Sequence, residues 1–454
     1  VGSTAKAVGR AEVDGILPWG QTLLLGWQHV LAMYAGAVAV PLVLGAALRL
    51  SQNQVVFLIS ADLFTCGIAT LLQTLGLGRR IGIRMPLMMG VTAVAIGPMI
   101  AIGRAQGLPY VYGSIIVSGL LVFAFAGVFT KFLRFFPHIV TGTTITIVGV
   151  SLMPVAMNWA AGGAGAADFG SPRHIVLAAA VLAFIAAVHL RAKGFLSSIA
   201  VLLGLAAGSL FAWATGRMDL SSVGTHPWFA LITPLWFGAP KFSLSAVLSM
   251  LCVCLVSMVE STGVFYAMGK IADCGVKASD VAAGLRAESL AAMVGGVLNS
   301  FPYITFSQNL GLVALTRVKS RYVVAAGGAI LLVLGSIPKL AALVAAIPAA
   351  VLGGAGIALF GMVAATGLRL LARVDFERAH NLFIVAVSLG LGVGIPMFPQ
   401  VFAFLPQQAG ILCSNGIFMG TAAALTLNWL FNMRARRAEL PEPGESDPLG
   451  PTDA

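Results

Sequence analysis

The chain has 454 residues, of which 59% are hydrophobic and only 9% charged, with a formal net charge of +11. Soluble domains carry about a quarter charged residues, so this chain cannot cover a water-facing surface, and a mean hydropathy of +0.96 makes it a polytopic membrane protein. The composition excludes a soluble globular domain, and the excess of positive charge follows from membrane topology without any nucleic-acid partner.

Residues 1–18 are polar and mixed in charge, without the apolar stretch of a signal peptide. Apolar segments near the ~20 residues a spanning helix needs then recur along the chain. In order they fall at about 21–48, 54–75, 83–103, 110–130, 138–157, 174–190, 195–215, 244–268, 278–298, 301–316, 322–345, 349–371, 379–396 and 411–431, which predicts fourteen spans. Lys and Arg test that count independently. Twenty of the 27 fall in alternate connections, from Lys6/Arg10 and Arg79/Arg80/Arg84 through Arg317/Lys319/Arg321 to Arg434/Arg436/Arg437. Cytoplasmic loops concentrate these residues, so both termini are expected on the cytoplasmic side. The tail after Arg437, rich in Pro, Glu, Asp and Gly, reads as a disordered end. Cys66, Cys252, Cys254, Cys274 and Cys413 lie in or beside apolar spans and read as small core residues rather than metal ligands or disulfide partners.

Two spans differ from the rest. The third runs Arg84-Met-Pro86 into Gly90-Val-Thr92, and the tenth runs Ser300-Phe-Pro302 into Tyr-Ile-Thr-Phe306-Ser-Gln308-Asn309. Each opens with a proline and sets a polar side chain six positions later, Thr92 or Gln308. They stand seven spans apart, and an odd-numbered repeat reverses its direction in the membrane. Short or interrupted segments at matching places in two halves point to a transporter's midplane site. The expected fold is therefore all-α, with 7+7 inverted repeats and a strand-like stretch leading to a half-helix in spans 3 and 10.

Charged groups inside a bilayer are costly, and each is a functional candidate. Glu260, in Met258-Val-Glu-Ser-Thr-Gly263, has no basic residue within a helical turn. Arg286 and Glu288 share the ninth span, but residues two apart do not face each other, so Glu288 is expected to have a partner elsewhere. His29 lies in the first span. Asp62, near the start of the second, is expected to approach the outer interface. Gln308 and Asn309 are adjacent amides, and a carboxamide offers both an acceptor and donors. With Glu260 as an acceptor-only group, this set suits a neutral or weakly acidic heterocycle better than a metal or an inorganic anion.

Gln308-Asn-Leu-Gly311 with Thr316-Arg317, the Gln28-His29 pair, Gly90-Val-Thr92 and Val259-Glu-Ser-Thr-Gly263 together resemble the signature of the nucleobase–ascorbate transporters, also called the second nucleobase:cation symporter family. The resemblance covers roughly residues 20–432. The stretch Arg286-Ala-Glu-Ser to Phe306-Ser-Gln-Asn is most similar to bacterial xanthine and uric acid permeases. The resemblance implies a core domain of residues 21–130 and 244–345 and a gate domain of 131–243 and 346–433. A cytoplasmic segment (1–20) and tail (434–454) flank them.

It also implies proton-coupled import of a purine at the bacterial inner membrane, with the core sliding against the gate of a homodimer, and no cofactor. By residue, Glu260 and Gln308 would bind the purine, Thr92 and Ala93 would line the site, and Asn309 would hold its geometry. Glu288 and His29, with Glu260, would couple protonation to transport. Three positions depart from the wider family pattern: Val264 stands where an acid or histidine is common, Glu288 where aspartate is commoner, and Ala93 where an aromatic often stacks on the base. Phe265, Tyr266 or Phe306 would have to supply stacking. The alternatives are a uracil or other nucleobase permease, or an anion exchanger or channel on the same fold. An enzyme is not expected, because no nucleophile-elbow, His-Glu-x-x-His or paired-aspartate motif occurs.

Overall fold

Ser51 starts the second long helix by a reciprocal cap: its hydroxyl accepts from the Gln54 amide, while the Gln54 side chain accepts from the Ser51 amide. That cap separates helix α1 (Trp19–Ala47) from α2 (Gln52–Leu75), and Gly76, with φ of +76°, ends α2 in a conformation that favours glycine. In this computed structural model the described residues are 10–132 and 136–433. The expected cytoplasmic residues Lys6, Arg134, Arg434, Arg436 and Arg437, and the tail 434–454, lie outside them.

The chain continues through strand β1 (Met89–Val91), a 3-10 turn (Ala93–Ala95), α3 (Ile96–Gln106), α4 (Leu108–Phe132), α5 (His138–Ala160), α6 (Pro172–Arg191) and α7 (Ala200–Ala214). There follow α8 (Leu244–Ile271), α9 (Ala278–Val297), strand β2 (Tyr303–Thr305), α10 (Gln308–Thr316), α11 (Arg321–Gly335), α12 (Pro338–Ala345), α13 (Ala349–Leu371), α14 (Ala379–Met397), α15 (Gln407–Cys413) and α16 (Gly416–Asn428). Among the described residues eight helices are long and apolar enough to cross a membrane, and α11 with α12, bent by 80°, would make a ninth. The remaining expected spans are broken, short or carry charge. Spans 3 and 10 contain the strands, α7 and α16 are short, and α9 holds Asp280, Arg286 and Glu288.

Helices α1, α2 and α11 pack together, and α4 packs on both α8 and α9. A second group joins α5 to α13 and α16, with α6 against α7 and α13 and α14 against α16. Apolar helices gain little from hydrophobicity in lipid and associate through close packing of small residues. At Gly149 of α5 an added Cβ would stand 2.3 Å from the Ala364 amide of α13, so only glycine allows that approach.

The strand-like stretches expected in spans 3 and 10 are present, and the structure adds their pairing. Both stretches are true strands, and they pair with each other to form the two-stranded sheet seen among the described residues.

Candidate functional site

Helix α9 ends where Asn299 takes a left-handed conformation (φ 56°), which asparagine tolerates, and the Ser300 amide turns back to the Gly295 carbonyl. Pro302 has no amide hydrogen and continues the chain extended. Strand β2 then runs antiparallel to β1, with Met89 opposite Thr305, Gly90 opposite Ile304 and Val91 opposite Tyr303. The pairing extends one step each way: the Thr92 amide donates to Pro302 (3.1 Å) and the Phe306 amide to Met88 (2.9 Å).

A two-stranded sheet leaves outward-facing amides, and membrane-embedded backbone must find partners for them within the protein. On the β2 side the Thr305 amide donates to Glu288 Oε1 (3.1 Å) and Ser261 Oγ (3.3 Å). On the β1 side the Met89 amide donates to Thr70 Oγ1 (3.1 Å). Helices α2, α8 and α9 thus close the sheet with side chains.

Each strand leads into a short helix. Thr92 caps the turn after β1: its hydroxyl oxygen accepts from the Val94 amide and from Ser257 Oγ, both at 3.3 Å. After β2 the helix α10 begins at Gln308. At 1.5 Å per residue, α3 is roughly 16 Å long and α10 roughly 13 Å, each about half of a ~30 Å hydrocarbon layer. Their first turns lie beside the sheet, and first-turn amides have no intrahelical acceptor.

The structure brings most of the expected residues to this crossing. Glu260 is half-buried on α8, one position before Ser261, and α8 packs against the 3-10 turn, β2 and α10. Gln308 is exposed. Among the described residues neither the Glu260 carboxylate nor the Gln308 carboxamide has a hydrogen bond within the protein. Glu288 is buried and takes the Thr305 hydroxyl at 2.7 Å, which supplies the partner anticipated on another segment. Asn309 donates through Nδ2 to both Nδ1 and the carbonyl oxygen of His29, each at 3.0 Å. His29 Nδ1 is thereby an acceptor, and the neutral ring carries its proton on Nε2. The Asn309 Oδ1 is buried without a partner.

Ala93 is half-buried on the turn after β1. The Phe306 ring rests on the bare face of Gly90: an added Cβ there would meet its ring carbon at 2.2 Å, and one at Gly36 of α1 at 3.1 Å. Of the three candidate aromatics, Phe265 is fully buried against Gly284 of α9 and Tyr266 is exposed on α8, whereas Phe306 sits half-buried on the sheet. Arg286 points elsewhere, with a guanidinium nitrogen against Gly127 of α4.

Asp62 has no solvent-exposed surface. It lies within α2, and its Oδ1 accepts from the Tyr303 hydroxyl of β2 (3.1 Å) and from Cys66 Sγ (3.7 Å). Gln73, three turns further along α2, donates to Thr305 Oγ1 (3.4 Å). Sequence reasoning missed the partners of Asp62 and passed over Gln73, Tyr303 and Thr305, yet a signal was present. Asp62, Cys66, Thr70 and Gln73 recur at helical spacing and form a polar stripe on an otherwise apolar helix.

Among the described residues no group of three His, Cys, Asp or Glu could hold a metal. A surface cleft of about 650 Å³ lies between the ends of α1 and α3, lined by residues including Arg49 and Arg104, and shares no residue with the crossing. The crossing brings together carboxyl, carboxamide and hydroxyl groups and the ring of Phe306. That chemistry matches a flat heterocycle with N–H and C=O groups on its edge.

A family model described as Permease family matches residues 20–401. The chain is 47% identical over 419 residues to the nucleobase transporter PlUacP of Paenibacillus larvae, covering 92% of this chain and 96% of the relative. It is 45% identical to the xanthine permease of Bacillus subtilis, covering 93% and 96%. It is also 45% identical to the uric acid transporter UacT of Escherichia coli, covering 96% and 91%. Among solved structures it resembles in fold the transmembrane domain of the cyanobacterial bicarbonate transporter BicA, with a TM-score of 0.57 and 16% identity over 90% of this chain and 98% of that one. The likeness to SLC26A9 has a TM-score of 0.59 at 12% identity, covering 94% and 69%.

Proposed function

The chain belongs to this permease family, the nucleobase–ascorbate transporters, and from that membership we propose that it imports an oxidised purine, xanthine or uric acid, together with protons. One observation carries the reading. Glu260 lies beside Ser261 on a helix that packs against β2 and α10, Gln308 opens α10, and among the described residues neither side chain has a hydrogen bond. A carboxylate accepts from two purine N–H groups, while a carboxamide answers an edge that alternates C=O with N–H. Thr92 and Ala93 line the site from the turn after β1, the half-buried Phe306 is the aromatic assigned to stacking, and Asn309 holds His29. Glu288, His29 and Glu260 form the set through which protonation is coupled to movement.

The proposed architecture has fourteen spans as two inverted seven-span repeats. The core (21–130 and 244–345) carries the purine and slides against a gate (131–243 and 346–433) that also joins two copies. Antiparallel pairing of two segments from opposite halves supports a twofold relation between them. We place the protein in the bacterial inner membrane with both ends cytoplasmic, acting as a carrier and not as an enzyme. The fold likeness to a bicarbonate transporter favours a second reading, exchange of inorganic anions. Against it, none of the named groups at the crossing is a Lys or Arg.

Counterflow of labelled xanthine or urate in proteoliposomes, with and without a protonophore, separates the two. Purine uptake that collapses with the proton gradient is expected; bicarbonate or chloride transport indifferent to protons would overturn the reading. Gln308→Glu is expected to weaken purine uptake about tenfold or more, since it sets a second acceptor against the purine carbonyl. Unaltered purine affinity in that variant would remove the direct contact.

A further inference from the structure

We infer that Asp62 is a positioning residue for substrate binding, holding strand β2 in register against helix α2 through the hydroxyl of Tyr303. The inference rests on the reading that the residues following β2 contact the purine.

Asp62 has no solvent exposure, and no salt bridge reaches it among the described residues. Its Oδ1 takes both donors, Tyr303 and Cys66, while Oδ2 is buried without a partner. The Tyr303 hydroxyl also lies 3.4 Å from the Asp62 carbonyl oxygen and is hydrogen-bonded to Ser300 Oγ. An acidic group kept inside a membrane without a cation is costly. The fold does not need it to close the sheet, since Thr70, Ser261 and Glu288 already hold the outward amides.

What the carboxyl adds is location. Tyr303 and Thr305 are two apart on a strand and share a face. Asp62 and Gln73 are eleven apart on a helix, which returns to nearly the same face. Helix α2 therefore grips β2 at two points, Asp62 on Tyr303 and Gln73 on Thr305 (3.4 Å). Phe306 follows directly and Gln308 begins the next helix. A strand free to slip along α2 would carry both away from a bound ligand, and binding constellations tolerate only about 0.5 Å of such error.

The test is a double-mutant cycle on the purified full chain, with xanthine and urate binding read by calorimetry and thermal unfolding followed in parallel. Asp62→Ala and Tyr303→Phe are each expected to weaken binding about 5- to 20-fold, as loss of one hydrogen bond to a carboxyl predicts. The double variant is expected to be no weaker than the worse single, because both changes remove the same bond. Asp62→Asn keeps an acceptor oxygen and is expected to stay within about 3-fold of wild type. Should Asp62→Ala fail to accumulate, Tyr303→Phe and Asp62→Asn, which keep shape and volume, carry the same contrast. Unchanged affinity in Tyr303→Phe, or losses that multiply in the double variant, overturns the inference. Wild-type protein that binds no purine overturns the reading beneath it.

Discussion

The two broken segments share a backbone plan but not a chemistry. Around β1 the holding groups are neutral: Thr70 on the Met89 amide, Ser257 on Thr92, and a small Ala93 at the start of the turn. Around β2 two acidic groups join the neutral ones Ser261, Gln73 and Ser300. Glu288 binds Thr305 twice, Asp62 binds Tyr303, and the unpaired Glu260 stands one residue from the serine that also holds Thr305. The helix after β2 opens with an exposed carboxamide, whereas the turn after β1 buries its threonine. The proposed binding and proton-coupling groups therefore lie mainly on the β2 side, with Thr92 and Ala93 lining the same site from the β1 side.

That asymmetry can be broken experimentally, beginning with Glu260, which has no hydrogen bond among the described residues. Glu260→Gln is expected to lower purine affinity by about 10- to 100-fold, the range for losing hydrogen bonds to a charged acceptor, with little change in melting temperature. Calorimetry beside thermal unfolding checks both parts, and a large stability loss with intact affinity would reverse the assignment. A paired comparison then separates the two sheet edges. Thr70→Val leaves the buried Met89 amide without its acceptor and is expected to cost about 1–3 kcal/mol, while the folded fraction keeps its purine affinity. Glu288→Ala leaves the Thr305 amide with Ser261 and is expected to cost less stability, yet to abolish proton-driven uptake. Equal effects of the two changes on uptake would erase the distinction.

The smallest effect lies just past the C-terminal end of α10. Lys319 is bonded to Asp273 (2.7 Å) and Glu12 (2.8 Å), and these hydrogen bonds, Asp273 first, hold its ammonium above the ordinary lysine value. A raised value means the contribution is fully present at neutral pH and is lost as pH rises through the folded-state value. Lys319→Met is expected to lower the melting temperature by only about 1 °C, as exposed ion pairs are weak. The gap should close in 1 M salt and at strongly alkaline pH.

Much of the site was legible because each residue stood out against its own segment. Glu260, Glu288 and His29 are polar residues in apolar runs, and Pro302 followed by β-branched and aromatic residues announced a strand-like stretch. The partner of Asp62 was missed because position along a span does not say what faces the side chain. Helix α2 in fact brings it under β2, 241 positions away in the chain. Phe306 could not be separated from Phe265 and Tyr266 by sequence, since its packing against Gly90 appears only in the tertiary structure.

Composition and the spacing of apolar and basic residues were enough to establish a multi-pass membrane protein and its two interrupted segments, while the family was suggested by the resemblance of particular motifs. Those are properties of local chain chemistry: hydrophobic length, proline position, and the cost of charge in lipid. Tertiary structure alone decided that the interrupted segments pair with each other, that Glu288 closes the sheet edge, that Asn309 meets His29, and that Asp62 reaches Tyr303. Each of these depends on which faces of distant helices come together, and a one-dimensional pattern specifies a face without specifying its neighbour.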